Sequence, residues 1–227
     1  EDLGQIRRTH GGAVYIQDTP GHRYAFAERE TTMAAEKAAI GAVVADMIPP
    51  GQTVILNGGT TCLEVARALR GRHMSVVTNS VPIASLLSAE LATEVTLVGG
   101  YVYPRTGVAL GTMAEQHLGM LRASQVVLSC AGVTGEGIYN ANQMMVDCER
   151  KMTEVADEVI LAVDHTKFGK QSVVRLGGLE EVDVIVTDDA CDQETRQWLS
   201  NSGAKVIYAE TTRVPVAGRL RTATERE

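Results

Sequence analysis

Asn57, Gly58, Gly59, Thr60 and Thr61 stand between a short apolar run at 53–56 and a helical pattern at 61–69. That combination suits an anion. Glycines let the backbone turn tightly and let its N–H groups approach an oxyanion. A Thr hydroxyl can donate to a phosphate oxygen, and the start of a helix adds partial positive charge. A plain strand-to-helix turn with a Thr cap is the alternative. Two glycines with two threonines exceed what a cap needs, which favours a phosphate. The stretch has neither the Gly-Lys-Ser/Thr of a Walker A loop nor the G-x-G-x-x-G of a dinucleotide fold, so nucleotides and NAD recede as ligands.

Other polar and small residues follow other apolar runs. Thr78, Asn79 and Ser80 come after 75–77 and can cap a helix or, beside the first loop, bind ligand hydroxyls. Gly99 and Gly100 follow 95–98 and make either a turn or room for a ligand. Ser129, Cys130, Ala131, Gly132 and Val133 follow 126–128. Asp164, His165, Thr166 and Lys167 follow 159–163. A lysine there suits an anion, a solvated surface lysine being the alternative. His10, His22, His73 and His117 have no partner at catalytic spacing. Cys62, Cys130, Cys148 and Cys191 form no C-x-x-C pair and have no His at ligand spacing, so reduced buried thiols are expected. No Gly-x-Ser-x-Gly elbow and no metal signature occurs, and no cofactor is expected.

These residues need a scaffold. Short runs rich in Val and Ile at 53–56, 75–77, 95–98, 126–128, 159–163, 184–186 and 205–208 read as buried parallel strands. Helical patterns occupy 30–48, 61–69, 81–91, 113–121, 148–156 and 193–200. Pro49-Pro50-Gly51 stops the first, and Pro82 is tolerated in the first turn of the third. The alternation predicts an α/β fold, a mostly parallel doubly wound sheet with helices on both faces. Ligands of such sheets bind beyond the carboxyl ends of the strands, where all the loops above lie.

The chain has 227 residues, 44% hydrophobic and 22% charged, as an ordinary globular domain does. One α/β domain is expected over 28–210, after a locally basic segment at 1–13 and a connector at 14–27. The aperiodic tail at 211–227 reads as a mobile or partner-contacting arm. The first residue is Glu1 and not Met, so the chain reads as a piece of a longer protein. The net charge of -7 makes the domain a poor nucleic-acid binder in bulk; any DNA contact must come from a local basic patch or another segment. No apolar run approaches the roughly 18 residues of a membrane span and no signal-peptide pattern opens the chain; a cytoplasmic protein without membrane contact is expected.

Taken in order, these segments resemble the C-terminal effector-sensing domain of the DeoR family of bacterial transcriptional regulators. The resemblance runs from Ile6 to about Asp188. It rests on Ile6-Arg7-Arg8-Thr9-His10-Gly11-Gly12-Ala13, on Phe26, Arg29-Glu30 and Lys37, and on the loops at 57–61, 78–80 and 99–100. Gly111, Glu149 with Lys151, and Asp164 with Lys167 complete it. The family's first loop often begins with Asp, where this chain has Asn57. The resemblance implies a fold similar to ribose-5-phosphate isomerase and an effector that is a phosphorylated sugar or related intermediate. It implies that the 58–61 loop and Lys167 hold phosphate, with Thr78, Asn79 and Ser80 at the same pocket and Asp164 supporting the Lys167 loop. It also implies a homo-oligomer, dimer or tetramer, that binds operator DNA through an N-terminal winged helix-turn-helix, of which 1–13 would be the remnant. An isomerase-like enzyme on the same fold is the alternative. Such enzymes resemble this chain but carry an acidic pair after a Gly-Ala at a strand end. Here Ala131-Gly132-Val133-Thr134 precedes the first acid, Glu136, although Asp147 and Glu149 could enter from elsewhere.

Overall fold

A computed structural model describes residues 6–9, 12–15 and 25–211. The segments expected at 1–13 and 14–27 lie partly, and the tail at 211–227 almost wholly, outside the described residues. The chain runs β1 (Ile6–Thr9), β2 (Gly12–Tyr15), α1 (Ala25–Thr31), α2 (Ala34–Met47), β3 (Thr53–Leu56), α3 (Thr60–Ala68), β4 (Met74–Thr78), α4 (Val81–Leu87) and β5 (Thr93–Leu97). It continues through β6 (Tyr101–Tyr103), β7 (Val108–Leu110), α5 (Thr112–Gly119), β8 (Ala123–Leu128), β9 (Gly132–Thr134), β10 (Gly137–Asn140) and α6 (Gln143–Glu154). It ends with β11 (Ala156–Ala162), β12 (Val174–Gly177), β13 (Val184–Asp188), α7 (Gln193–Ser200) and β14 (Lys205–Ala209).

Seven strands form one sheet in the order β14-β13-β11-β8-β3-β4-β5, and every neighbouring pair is parallel. The expected doubly wound α/β sheet is therefore present. Side chains alternate between its faces, as the strand period requires. Val54 and Leu56 join a core with α2 and α3, whereas Ile55 joins a second core with α5, α6 and α7. From β3 the chain winds outward through β4 to the edge strand β5, then returns to place β8 on the other side of β3. The order thus reverses between β3 and β8, and their carboxyl-end loops part there to leave a crevice.

Three smaller features depart from the sequence expectation. The helix expected over 30–48 is two helices, divided at Met33, whose φ of 52° is left-handed. The side chains explain the break. Thr31 and Thr32 turn their hydroxyls back onto the Glu28 carbonyl at 2.9 Å each. The Lys37 ammonium donates to the carbonyls of Arg29 and Thr32, capping the end of α1. The antiparallel hairpin β6–β7 and the antiparallel sheet β12-β10-β9 had no sequence signal. β1 and β2 also pair antiparallel, Ile6 opposite Tyr15.

Candidate functional site

A cavity of about 310 Å³ opens at the carboxyl ends of β3 and β8. One wall is the turn Gly58, Gly59, Thr60 and Thr61 that starts α3; another is Ser129, Cys130 and Ala131 after β8. The helix dipole and free N–H groups of α3 face this space without a side-chain cap. The two glycines are needed for room and not for a left-handed backbone, since neither has a positive φ. A Cβ on Gly58 would fall 1.8 Å from Val108 Cγ1, and one on Gly59 would fall 2.2 Å from Ser129 Oγ.

Asp164 and Lys167 join the cavity from the turn after β11. The Asp164 carboxylate accepts from the Thr166 amide at 3.1 Å and from the Thr166 hydroxyl, so it shapes the turn. His165 braces the same turn from behind. Its amide donates to Asp188 Oδ2 at 2.7 Å, and its Nδ1 lies 2.8 Å from Asp188 Oδ1. Phe168 then packs edge-on against Trp198, with ring centroids 5.6 Å apart. Lys167 is thus carried on a turn anchored on both sides.

Sequence reasoning about chemistry overlooked the rest of the lining. Arg29 and Thr32 come from the end of α1, Lys37 from α2, and Tyr103, Arg105 and Thr106 from the β6–β7 hairpin. Four cations and one carboxylate, Asp164, line the space. The protonation of Lys37 and Arg29 is set by burial first and by the neighbouring charges second. Burial lowers the Lys37 ammonium below its ordinary range; Asp164 pulls it back up, while Lys167 and Arg29 push it further down. Arg29 is lowered by burial and by Arg105. An anion would relieve this repulsion.

Asn57 lies behind the loop and ties three elements together. Its Nδ2 donates to the Ser129 carbonyl and to Glu149 Oε1, both at 3.1 Å. Its Oδ1 accepts from the Ser129 amide at 3.1 Å and from Cys62 Sγ at 3.0 Å. Asn140 Nδ2 completes the cradle of Glu149, at 2.7 and 2.8 Å from its two oxygens. Glu149 is 3% exposed, and burial pushes its carboxyl up to about 8 against the pull of both amides. An Asp at position 57 would face this acid with a second carboxyl, whereas the Asn57 amide offers it a donor.

The remaining candidates lie elsewhere. Thr78 donates to the Leu56 carbonyl at 2.7 Å, Asn79 Nδ2 donates to the Ala109 carbonyl at 3.0 Å, and Ser80 caps α4 by accepting from the Ile83 amide. Asn79 shares only a small inner recess with Asn57, Gly58 and Glu149. Gly99 and Gly100 do not line the main cavity, and Gly100 lies against the Leu110 carbonyl with φ 147°. Gly132 is also outside it, where a Cβ would meet the Lys170 carbonyl at 2.2 Å. Cys130 lines the cavity as a thiol, its pKa raised chiefly by burial. Among the described residues no group of His, Cys, Asp and Glu could hold a metal, and no helix is long and apolar enough to cross a membrane.

Comparison with known proteins adds a family. A family model described as the DeoR C terminal sensor domain matches residues 32–189. The transcriptional repressor AccR of Agrobacterium fabrum is 36% identical over 194 residues, covering 82% of this chain and 73% of the repressor. The glycerol-3-phosphate regulon repressor of Escherichia coli is 31% identical over 188 residues, covering 81% of this chain and 73% of the repressor. A solved structure of ribose 5-phosphate isomerase A from Methanocaldococcus jannaschii overlaps with a TM-score of 0.45 at 12% identity, over 60% of this chain and 55% of the isomerase. This chain thus spans about half of that enzyme's length.

Proposed function

The chain belongs to the DeoR family of transcriptional regulators, and on that footing we propose that its α/β domain senses a phosphorylated sugar or related metabolite and thereby controls operator binding. The observation that carries this reading is the joining of the α3 N-terminus and Lys167 in one cation-lined cavity at the reversal of the sheet. The phosphate would accept from the backbone of the 58–61 turn, with Lys167 supplying charge. The name of one relative supports the ligand class, since a glycerol-3-phosphate regulon repressor is named for a small phosphorylated metabolite. Binding would change operator affinity only through a difference in the ligand's affinity for two arrangements of the protein. DNA contact is assigned to an N-terminal head, and the regulator would act in the cytoplasm as a homo-oligomer. The open edge of β5 supports self-association, with Leu97 exposed on it and Tyr101 and Val102 exposed on β6.

Sensing is favoured over turnover by the placement of the acids. Asp164 is the one carboxylate lining the cavity among the described residues, and it holds the Thr166 turn. Glu149 sits behind the wall between two amides, and Asp147 is not part of the lining. Thermal unfolding of the chain against a panel of triose, pentose and hexose phosphates tests the reading. A ligand at ~100 times its Kd should add about 2.7 kcal/mol. A flat response across the panel would sink the sensor, and isomerised product above background would move the site to the enzyme reading.

A further inference from the structure

We propose that the Lys37 ammonium couples the cavity to α1: an anionic oxygen of the effector takes its third N–H, and binding thereby tightens α1 onto the domain. This rests on the phosphate-sensing reading above and supplies its first step of transmission. Lys37 lines the cavity and is 4% exposed. An ammonium has three donors. Two are spent on main-chain carbonyls at the end of α1, that of Arg29 and, at 2.6 Å, that of Thr32. Both residues line the cavity too, so the ammonium stands in its wall. No carboxylate forms an ion pair with it among the described residues. The two acids that act on it are engaged elsewhere, Glu64 with Arg67 at 3.2 Å and Asp164 with the Thr166 turn. A buried ammonium whose only partners are carbonyls is left with its charge uncompensated. An anionic oxygen in the cavity would supply the missing partner.

What Lys37 holds is a weakly fastened helix. α1 has seven residues, too few to be stable alone in water. From 26 to 31 none of its residues is buried: Phe26 and Glu30 are half-buried and the others exposed. Its other fastenings include Phe26, which packs against the α2–α3 core, and an ion pair from Glu30 to Arg67. Both members of that pair are partly exposed, so it contributes little. Lys37 itself belongs to α2, which is set in the core through Ile40 and Val44. The ammonium thus reaches back from a fixed helix to a loose one, across the left-handed turn at Met33. Elements with few buried contacts are the ones that respond to a ligand by changing their order. α1 is also the element by which the chain enters the α/β domain from its N-terminal side, the side to which operator contact is assigned above.

Amide hydrogen exchange of the 227-residue chain tests this, in phosphate-free buffer with and without saturating inorganic phosphate, glycerol 3-phosphate, ribose 5-phosphate or fructose 6-phosphate. Isothermal titration establishes which of them bind. With a bound compound, exchange over residues 25–32 should slow roughly threefold or more. Exchange in α7, none of whose residues lines the cavity, should change less. Lys37→Met keeps the stem and loses the ammonium. It should bind about tenfold more weakly, exchange faster over 25–32 without ligand, and show no slowing there at saturation. Lys37→Gln should behave alike and serves if the methionine variant does not fold. Lys167→Ala should also bind more weakly but, once saturated, keep the slowing, which separates coupling from affinity. Binding without slowing over 25–32, or with equal slowing in α7, would overturn the proposal and leave the sensor reading standing. Slowing that survives the loss of the Lys37 ammonium would do the same. No binding by any of the four compounds would overturn both.

Discussion

Lys167 and Glu149 show how differently two charged residues can serve one site. Lys167 stands on an anchored turn, and its ammonium has no hydrogen bond or ion pair among the described residues, so Lys167→Ala should act on binding and hardly on folding. Affinity for phosphorylated ligands should fall roughly 10- to 100-fold, the value of one charge-assisted hydrogen bond of about 1.5–3 kcal/mol. The ligand-free unfolding midpoint should stay in place. Glu149 belongs to the folding side. Its carboxyl, pushed up to about 8 from an ordinary 4.5, keeps a proton in the folded protein that the unfolded chain has already released. The stability this provides is complete below about 4.5 and is lost as the pH rises through about 8. Unfolding free energy measured in urea should therefore decline between pH 5 and pH 8, and Glu149→Gln should flatten the decline. Parallel slopes for the two proteins would exclude Glu149 as its source. Sequence spacing made the 58–61 turn, Asp164 and Lys167 legible, because each follows a strand and the strand-end rule applies. It could not display Arg29, Lys37 and Arg105 as cavity cations. They come from helices and a hairpin, and only the tertiary fold brings them to the strand ends.

The elements divide in the same way. All seven strands of the main sheet were legible: the five inner ones are largely buried runs rich in Val and Ile, and the edge strands β5 and β14 are short runs that keep to the same alternation with helices. The hairpin β6–β7 was not, because three-residue strands flanked by Gly, Pro and Thr have no period to read. That hairpin nevertheless bears on the phosphate turn through the contact between Val108 and Gly58. Gly58→Ala should cost about 1–3 kcal/mol of stability through overpacking. Val108→Ala removes the obstructing methyl, so the double variant should recover part of that loss. A double-mutant cycle in which the two changes simply add would show that the contact is slack. A second close approach fixes α3 from the other side. A Cβ at Gly41 of α2 would lie 2.7 Å from the Glu64 carbonyl carbon. Gly41→Ala should destabilise the domain despite alanine's better helix propensity, because backbone cannot yield as a side chain can. A rise in the unfolding midpoint would contradict this packing.

The whole molecule carries a net charge of -7, yet its one large described cavity is lined by four cations and one carboxylate. Its surface charge opposes small anions while its cavity attracts them. Salt screens both, but acts more on the exposed Arg105 than on the recessed turn. Affinity for a phosphorylated ligand should fall, by less than about tenfold, between 50 and 500 mM salt. Salt independence would argue against charge as the attraction. The same acidity should keep the α/β domain itself off DNA. The contact of Gly58 with Val108 has a further consequence, in the history of such sequences. Position 58 has no side chain because position 108 already fills its place. A lineage that lets 58 grow must first let 108 shrink, and one that keeps a branched residue at 108 has no freedom at 58. Across related sequences, a glycine in the phosphate turn should therefore track the size of a residue in a hairpin far along the chain. The two positions would be inherited as one.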